Sequence, residues 1–333
     1  MIAIDNAILH ILDFNAGMTM YSDAELDLSG STETFLRKHV EKSLASQDAR
    51  QGVFYEDSSF LASLDEYVSG KKDFIAFSRE VAQALEEAYV HAEEMDSADV
   101  IVCDIRVDEA RKIVLLKCSS HTGYVHQVNR TEEGIRNEIM NHASIMPGPG
   151  QKMDEFAFVD VGSKAVVFSG KRYTVDGNSV YVFPEILLEC SQAPSPREAM
   201  KSIAKAAAKV AEAYGQDEVA TAAAVKSYIA ENVEESDALD LQGAGKQIFK
   251  GNPSMQADYE MQIQEAGFTE PVHMDKEATL KKVSKHKLKT DTGIELTIPT
   301  DYFDNTEYVE FNNNEDGTLS ITLKHISNIV NRG

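Results

Sequence analysis

Apolar and polar positions along the chain fall into three regimes, and the sequence divides accordingly. At the start, Ile2, Ile4, Ile8, Leu9, Ile11 and Leu12 describe a buried N-terminal strand. Phe35, Leu36, Val40 and Leu44 then recur at helical spacing, with Ser29 to Thr32 offering N-cap hydroxyls. Phe60, Leu61, Leu64 and Val68 predict a short helix that stops at Gly70. A longer one runs from about Asp73 to Met95, with Phe74, Phe77, Val81, Leu85 and Tyr89 on one face and Glu80, Glu86, Glu87, Glu93 and Glu94 on the other. The runs DVIVCDIRVD and KIVLLKC predict a hairpin about Glu109-Ala110-Arg111, and TGYVHQV a further strand. Thr131-Glu132-Glu133 reads as the cap of a helix through Ile135, Ile139 and Met140, ended by the loop Met146-Pro147-Gly148-Pro149-Gly150. EFAFVDV, AVVFSGKRYTV and SVYVFPEILLEC supply more strands, with Asp176-Gly177-Asn178 as a hairpin turn.

The second regime begins after Ser191-Gln192-Ala193-Pro194. Ser195 is a natural N-cap and Pro196 suits the first helical position. From there to about Gly267 the pattern is alanine-rich and helical, with about four helices punctuated by Gly215, Gly243, Gly251 and Pro253. The third regime is a C-terminal β pattern. Ile294, Leu296 and Ile298 alternate with polar residues; Tyr308, Val309 and Phe311 follow; Leu319, Ile321 and Leu323 make a third strand. Asp291-Thr292-Gly293 and Glu315-Asp316-Gly317 stand where turns are needed. The expected fold class is α+β. A first domain, residues 1–192, has helices and a mainly antiparallel sheet; a second, residues 193–333, has a helical region and a small antiparallel meander.

Composition adds one constraint. The formal net charge of the 333-residue chain is −23, and a surface of that sign repels phosphate. Any contact with nucleic acid must therefore come from a local patch. One exists: Lys276, Lys281, Lys282, Lys285, Lys287 and Lys289 are accompanied only by Glu277. Lys285, Lys287 and Lys289 alternate, so on a strand they project from one face, where they could meet successive phosphates as point charges. Lys324 and Arg332 could extend the patch. Such lysines can equally serve to blunt an exposed edge strand, and the residues by themselves favour that blander role. A lesser candidate is the hairpin carrying Lys164, Lys171, Arg172 and Tyr173, where a solvated tip is the ordinary outcome.

Other chemistry is not signalled. The histidines form no metal-ligand spacing; His121 and His126 are five apart, on opposite strand faces, and His10 sits in an apolar strand. No nucleophile elbow, Walker loop or dinucleotide fingerprint is present, so neither an enzyme nor a cofactor is expected. Cys103, Cys118 and Cys190 are scattered, as befits core thiols in a reducing cytoplasm. The N-terminal stretch lacks a basic leader region and no apolar run is long enough to span a bilayer, so no membrane partner is expected. The acidic helices could face a basic partner or imitate DNA, although a merely solvated surface is commoner.

Three stretches carry a family resemblance: IDNAILHIL with Ile8 and His10 at the start, FPEILLEC around Leu187 to Cys190, and HKLKTDTGIELTIPTDYF followed by EYVEFNNNEDGTLSITLKHI at the end. Together they resemble the bacterial 37-kDa nucleoid-associated proteins, the YejK-like family. The resemblance implies a place in the nucleoid and no reaction, and it turns the preference for the lysine patch towards double-stranded DNA. The expectation is a non-enzymatic protein that binds duplex DNA with little sequence specificity through Lys281, Lys282, Lys285, Lys287 and Lys289, with Lys171 and Arg172 as lesser contacts. A homodimer through the alanine-rich helices is also expected. The alternative is an acidic adaptor, or a DNA mimic, that binds basic or DNA-handling proteins of the nucleoid.

Overall fold

The computed structural model describes residues 2–14, 17–94, 97–119, 121–132, 134–149, 151–153, 155–303, 305–314 and 316–330; Met95, Glu133, Gly150, Glu315 and Arg332, named above, lie outside them. The chain forms two compact units, Met1–Ala193 and Pro194–Gly333.

Unit 1 contains β1 (Ile2–Asp13), β2 (Met18–Met20), α1 (Ser31–Leu44), β3 (Arg50–Gly52), α2 (Ser59–Val68) and α3 (Phe74–Val90). Then come β4 (Ala98–Val107), β5 (Ala110–Ser119), β6 (His121–Thr131), β7 (Gly134–Ile145), β8 (Glu155–Asp160), β9 (Val166–Ser169), β10 (Arg172–Val175) and β11 (Asn178–Tyr181). Seven of these strands make one antiparallel sheet in the order β2-β1-β4-β5-β8-β9-β3. Both of its faces are covered. Ile8, Val100, Val102, Ile113, Leu115 and Phe168 face α2, α3 and a π turn over Val182–Leu187. Ala7, Ile101, Cys103, Val114, Leu116 and Phe156 face Leu36 and Val40 of α1. Double coverage is why IVC, IVLL and FAFV read as continuous apolar runs rather than as alternation.

The helix expected through Ile135, Ile139 and Met140 is instead strand β7, paired with β6 along its length, His126 opposite Ile139 and Thr131 opposite Gly134. Four-residue spacing of isoleucines also fits one face of a strand, and β-branched side chains favour it. Tyr124, Val128, Ile135 and Ile139 share a face of this ribbon and are exposed, Ile139 at 81%. Three smaller differences have local causes. The α1 N-cap is Gly30, with no side chain capping it, in place of a hydroxyl. The β4–β5 turn is Asp108-Glu109, both at positive φ, one residue earlier than the sequence suggests. Helix α3 ends at Val90 because Ala92 bridges Val175 and the Glu93 amide donates to the Thr174 carbonyl, which draws the chain into strand pairing.

Unit 2 contains α4 (Pro196–Ala213), α5 (Glu218–Glu235), β12 (Ala238–Leu239), α6 (Ala244–Ile248), α7 (Pro253–Glu265), β13 (Val272–His273) and α8 (Lys276–Val283). It closes with β14 (Lys285–Lys289), β15 (Glu295–Pro299), α9 (Thr300–Phe303), β16 (Val309–Asn313) and β17 (Leu319–Leu323). Helix α4 starts as its sequence requires: the Ser195 hydroxyl accepts from the Glu198 amide, the Glu198 carboxylate accepts from the Ser195 amide, and Pro196 follows. Ala199, Ala206, Ala207, Ala211 and Ala223 are buried within the unit, so part of the alanine enrichment serves close packing inside it, while Ala204, Ala208, Ala213, Ala220 and Ala222 are exposed. The C-terminal strands form two separate hairpins, β14–β15 and β16–β17, packed through Ile298, Phe303 and Val309.

Candidate nucleic-acid interface

Helix α8 is capped by Asp275, whose carboxylate accepts from the Ala278 amide, and it carries Lys281 and Lys282 in its last turn. Cations suit that end because the unsatisfied carbonyls there are negative. Strand β14 follows after Ser284 and alternates strictly: Lys285, Lys287 and Lys289 are exposed, His286 is buried and Leu288 is half-buried. What orients the row is the packing beneath it. The His286 ring stacks on Phe303 with centroids 3.9 Å apart, and Leu288 packs against the same small core. Burial and nearby Lys226 hold His286 neutral, with its pKa down at about 4. Successive lysines of such a row are about 6.8 Å apart.

Across the hairpin, Lys285 faces Pro299, Lys287 faces Thr297 and Lys289 faces Glu295. The last pair is an exposed contact at 3.4 Å, which contributes little in water. Among the described residues, no carboxylate lies within ion-pair distance of Lys285 or Lys287. Lys226 donates to the Lys285 carbonyl at 2.7 Å and ties α5 to the start of the strand. Lys324 does not extend the row: it bonds Glu310 at 2.5 Å and the Thr306 carbonyl at 3.2 Å.

One basic feature escaped the sequence reading. Arg197, Lys201, Lys205 and Lys209 recur every four residues along α4 and are all exposed. That spacing sets them in one row about 18 Å long. The signal is the four-residue spacing itself, which the intervening alanines and the apolar residues of the opposite face mask in the sequence. A largely apolar groove of about 270 Å³ between α4, α5 and α8 is lined by Ala204 and Ala208 on one side and Lys282 on the other. Lys282 and the α4 helix thus border the same groove.

The lesser candidate is built differently. Lys164 bonds Asp65 at 2.5 Å. The Arg172 guanidinium lies over the Tyr181 ring at 4.6 Å, and Arg50 lies over that ring at 4.7 Å while donating to its hydroxyl. Tyr173 turns inward, its hydroxyl donating to Glu155, and is not offered for stacking; Lys171 stays exposed beside it. His10 is a core residue: the Ser22 amide donates to Nδ1, which leaves Nε2 protonated to donate to the Ser78 hydroxyl. Among the described residues, no group of three histidine, cysteine, aspartate or glutamate side chains could hold a metal ion. No helix among them is long and apolar enough to cross a membrane.

Fold and site together define a two-unit α+β protein with a lysine-rich face on its C-terminal unit. The family model described as nucleoid-associated protein YejK matches residues 8–330, and the chain belongs to that family. A search of curated proteins finds no match. The match takes in His10 and the β1 core, the π turn of FPEILLEC, and both C-terminal hairpins.

Proposed function

We propose that the protein binds double-stranded DNA through unit 2, as a binding protein rather than an enzyme and with little preference for sequence. The observation that carries this reading is the outward row Lys285, Lys287 and Lys289, fixed by the inward packing of His286 and Leu288. Membership of a nucleoid-associated family supports it. The basic stripe of α4 supplies further point charges in the same unit. Lysine lacks the planar fork that reads guanine bidentately, so such contacts attach to phosphates and not to base edges. A homodimer belongs to the same reading, because doubling a weak patch multiplies its effect.

The test is binding to random duplex DNA, followed by fluorescence anisotropy over a range of salt concentrations. Five contacts from Lys281, Lys282, Lys285, Lys287 and Lys289 give a log–log slope of roughly −4 to −5. Added engagement of Lys201 and Lys205 steepens it by about 2. A protein that shifts no duplex even at low salt overturns the reading. So does a preference above roughly a hundredfold for one sequence.

A further inference from the structure

We infer that unit 1 carries a docking cleft for a basic protein segment with an apolar anchor, built around FPEILLEC. Within that motif the Leu188 amide donates to the Phe183 carbonyl and the Cys190 amide to the Pro184 carbonyl. Phe183, Leu187 and Leu188 are buried, whereas Ile186 remains exposed. Glu189 sits at φ 53, a left-handed conformation that a residue with a Cβ adopts only when its surroundings hold it there. They do hold it: its carboxylate accepts from the Ser59 amide at the start of α2, and the Ser58 hydroxyl donates to the Leu188 carbonyl. The strained residue therefore fixes the π turn against α2 and opens a cleft between them and α3.

The cleft has a volume of about 450 Å³. Its floor is apolar, made by Phe60, Val81, Ala84, Ala88 and Leu187. Residues 80, 81, 84, 87 and 88 fall on one helical face, so α3 contributes floor and rim together. The rim carries Glu80, Glu87, Asp176 and Glu189, and among the described residues no lysine or arginine lines it. His91 stands 4.0 Å from Asp176, and Lys72, which is not part of the lining, is bound to Glu80 and Glu66. An apolar floor inside a ring of carboxylates selects one kind of occupant: a Leu, Phe or Ile side chain seated between flanking lysines or arginines. The anchor supplies affinity and the charges supply orientation and on-rate. Nucleic acid is repelled by the same rim. This inference is independent of the DNA reading and concerns the other unit.

The test uses the full-length protein and a fluorescein-labelled hexapeptide, Lys-Lys-Leu-Phe-Lys-Lys, with a control in which serines replace Leu and Phe. Saturable binding is expected, at least tenfold tighter than to the control. Ala84→Trp fills the floor and is expected to weaken the peptide tenfold or more while leaving the salt slope on DNA unchanged. Should that variant misfold by circular dichroism, E87Q/D176N decides the matter. Both side chains are exposed, and asparagine tolerates the positive φ of Asp176. The double variant is expected to weaken the peptide about tenfold. Equal affinity for peptide and control, no saturable binding, or variants with the parent's affinity would each overturn the inference. In those cases the acidic surface attracts cations without a cleft, and the DNA reading stands or falls separately.

Discussion

The Lys117 ammonium donates to the Glu155 carboxylate at 2.5 Å, and both side chains are almost fully buried. They face each other across β5 and β8, directly in register. The Tyr173 hydroxyl accepts from Lys117 and donates to Glu155, the Tyr89 hydroxyl reaches the other carboxylate oxygen, and the ammonium lies 4.7 Å from the Tyr89 ring centroid. Burial next to that carboxylate pushes the Tyr89 hydroxyl far above its ordinary pKa.

Removing one partner strands the other charge in the core. Lys117→Met is expected to destabilise unit 1 by about 3–5 kcal/mol, and adding Glu155→Leu to recover most of that loss. Urea unfolding followed by far-ultraviolet circular dichroism checks both. A double variant no more stable than the single would show that the tyrosines, not the ion pair, hold the site.

On DNA, changing Lys285, Lys287 and Lys289 together to Gln removes charge but keeps long polar stems. The salt slope should become shallower by about 3. Folding should survive, because His286 and Leu288 hold the strand from below. Lys201→Gln with Lys205→Gln should remove about 2 more if α4 shares the surface. Parental slopes in both variants would reduce the lysines to solubilising groups.

Acid should weaken each unit through buried histidines, His10 and His39 in unit 1 and His286 in unit 2. Burial lowers His10 to about 4, helped by Arg79, and His286 to about 4 for the reasons given above. Each binds a proton in the unfolded chain near pH 6.5 but in the folded one only near pH 4. The stability they contribute is therefore complete above about 6.5 and lost as pH falls to about 4. The slope is at most about 1.4 kcal/mol per pH unit for each histidine. His10→Gln and His286→Gln should each flatten the curve of their own unit; an unchanged curve would place the acid sensitivity in other groups.

The cysteines should be inert in the folded protein. Cys103, Cys118 and Cys190 are buried, and burial raises each thiol to about 12. Ellman's reagent is expected to titrate none before denaturation and 3 after it. Rapid labelling of the native protein would mean that the sheet opens far more readily than its packing implies.

Where burial shapes the residue pattern, the sequence was a good guide. The continuous runs of β4, β5 and β8 record burial on both faces, and the alternation of β14 records which side of the backbone meets the core. Strand β6 was legible in TGYVHQV, but β7 reads as a helix because cross-strand pairing holds it while its isoleucines stay exposed, so its pattern reports no core. The lysine row was legible because five consecutive residues contain it. The cleft was not, since the FPEILLEC turn lies far along the chain from α2 and α3. No local pattern announces that their side chains meet.

The pairing of β1 with β4 also sets an order of events. Ile8 finds Val102 only after α1, α2 and α3 have been made, whereas β4, β5 and β8 form a meander interrupted by the β6–β7 ribbon. As the chain emerges during synthesis, the first strand must wait, its apolar face uncovered, while the meander assembles around the β4–β5 turn. Unit 1 closes by two long-range pairings, β3 with β9 and β1 with β4, the second of which seals the Ile8 and His10 layer beneath α3. Deleting the opening strand should therefore leave a collapsed meander that aggregates, rather than a smaller folded domain.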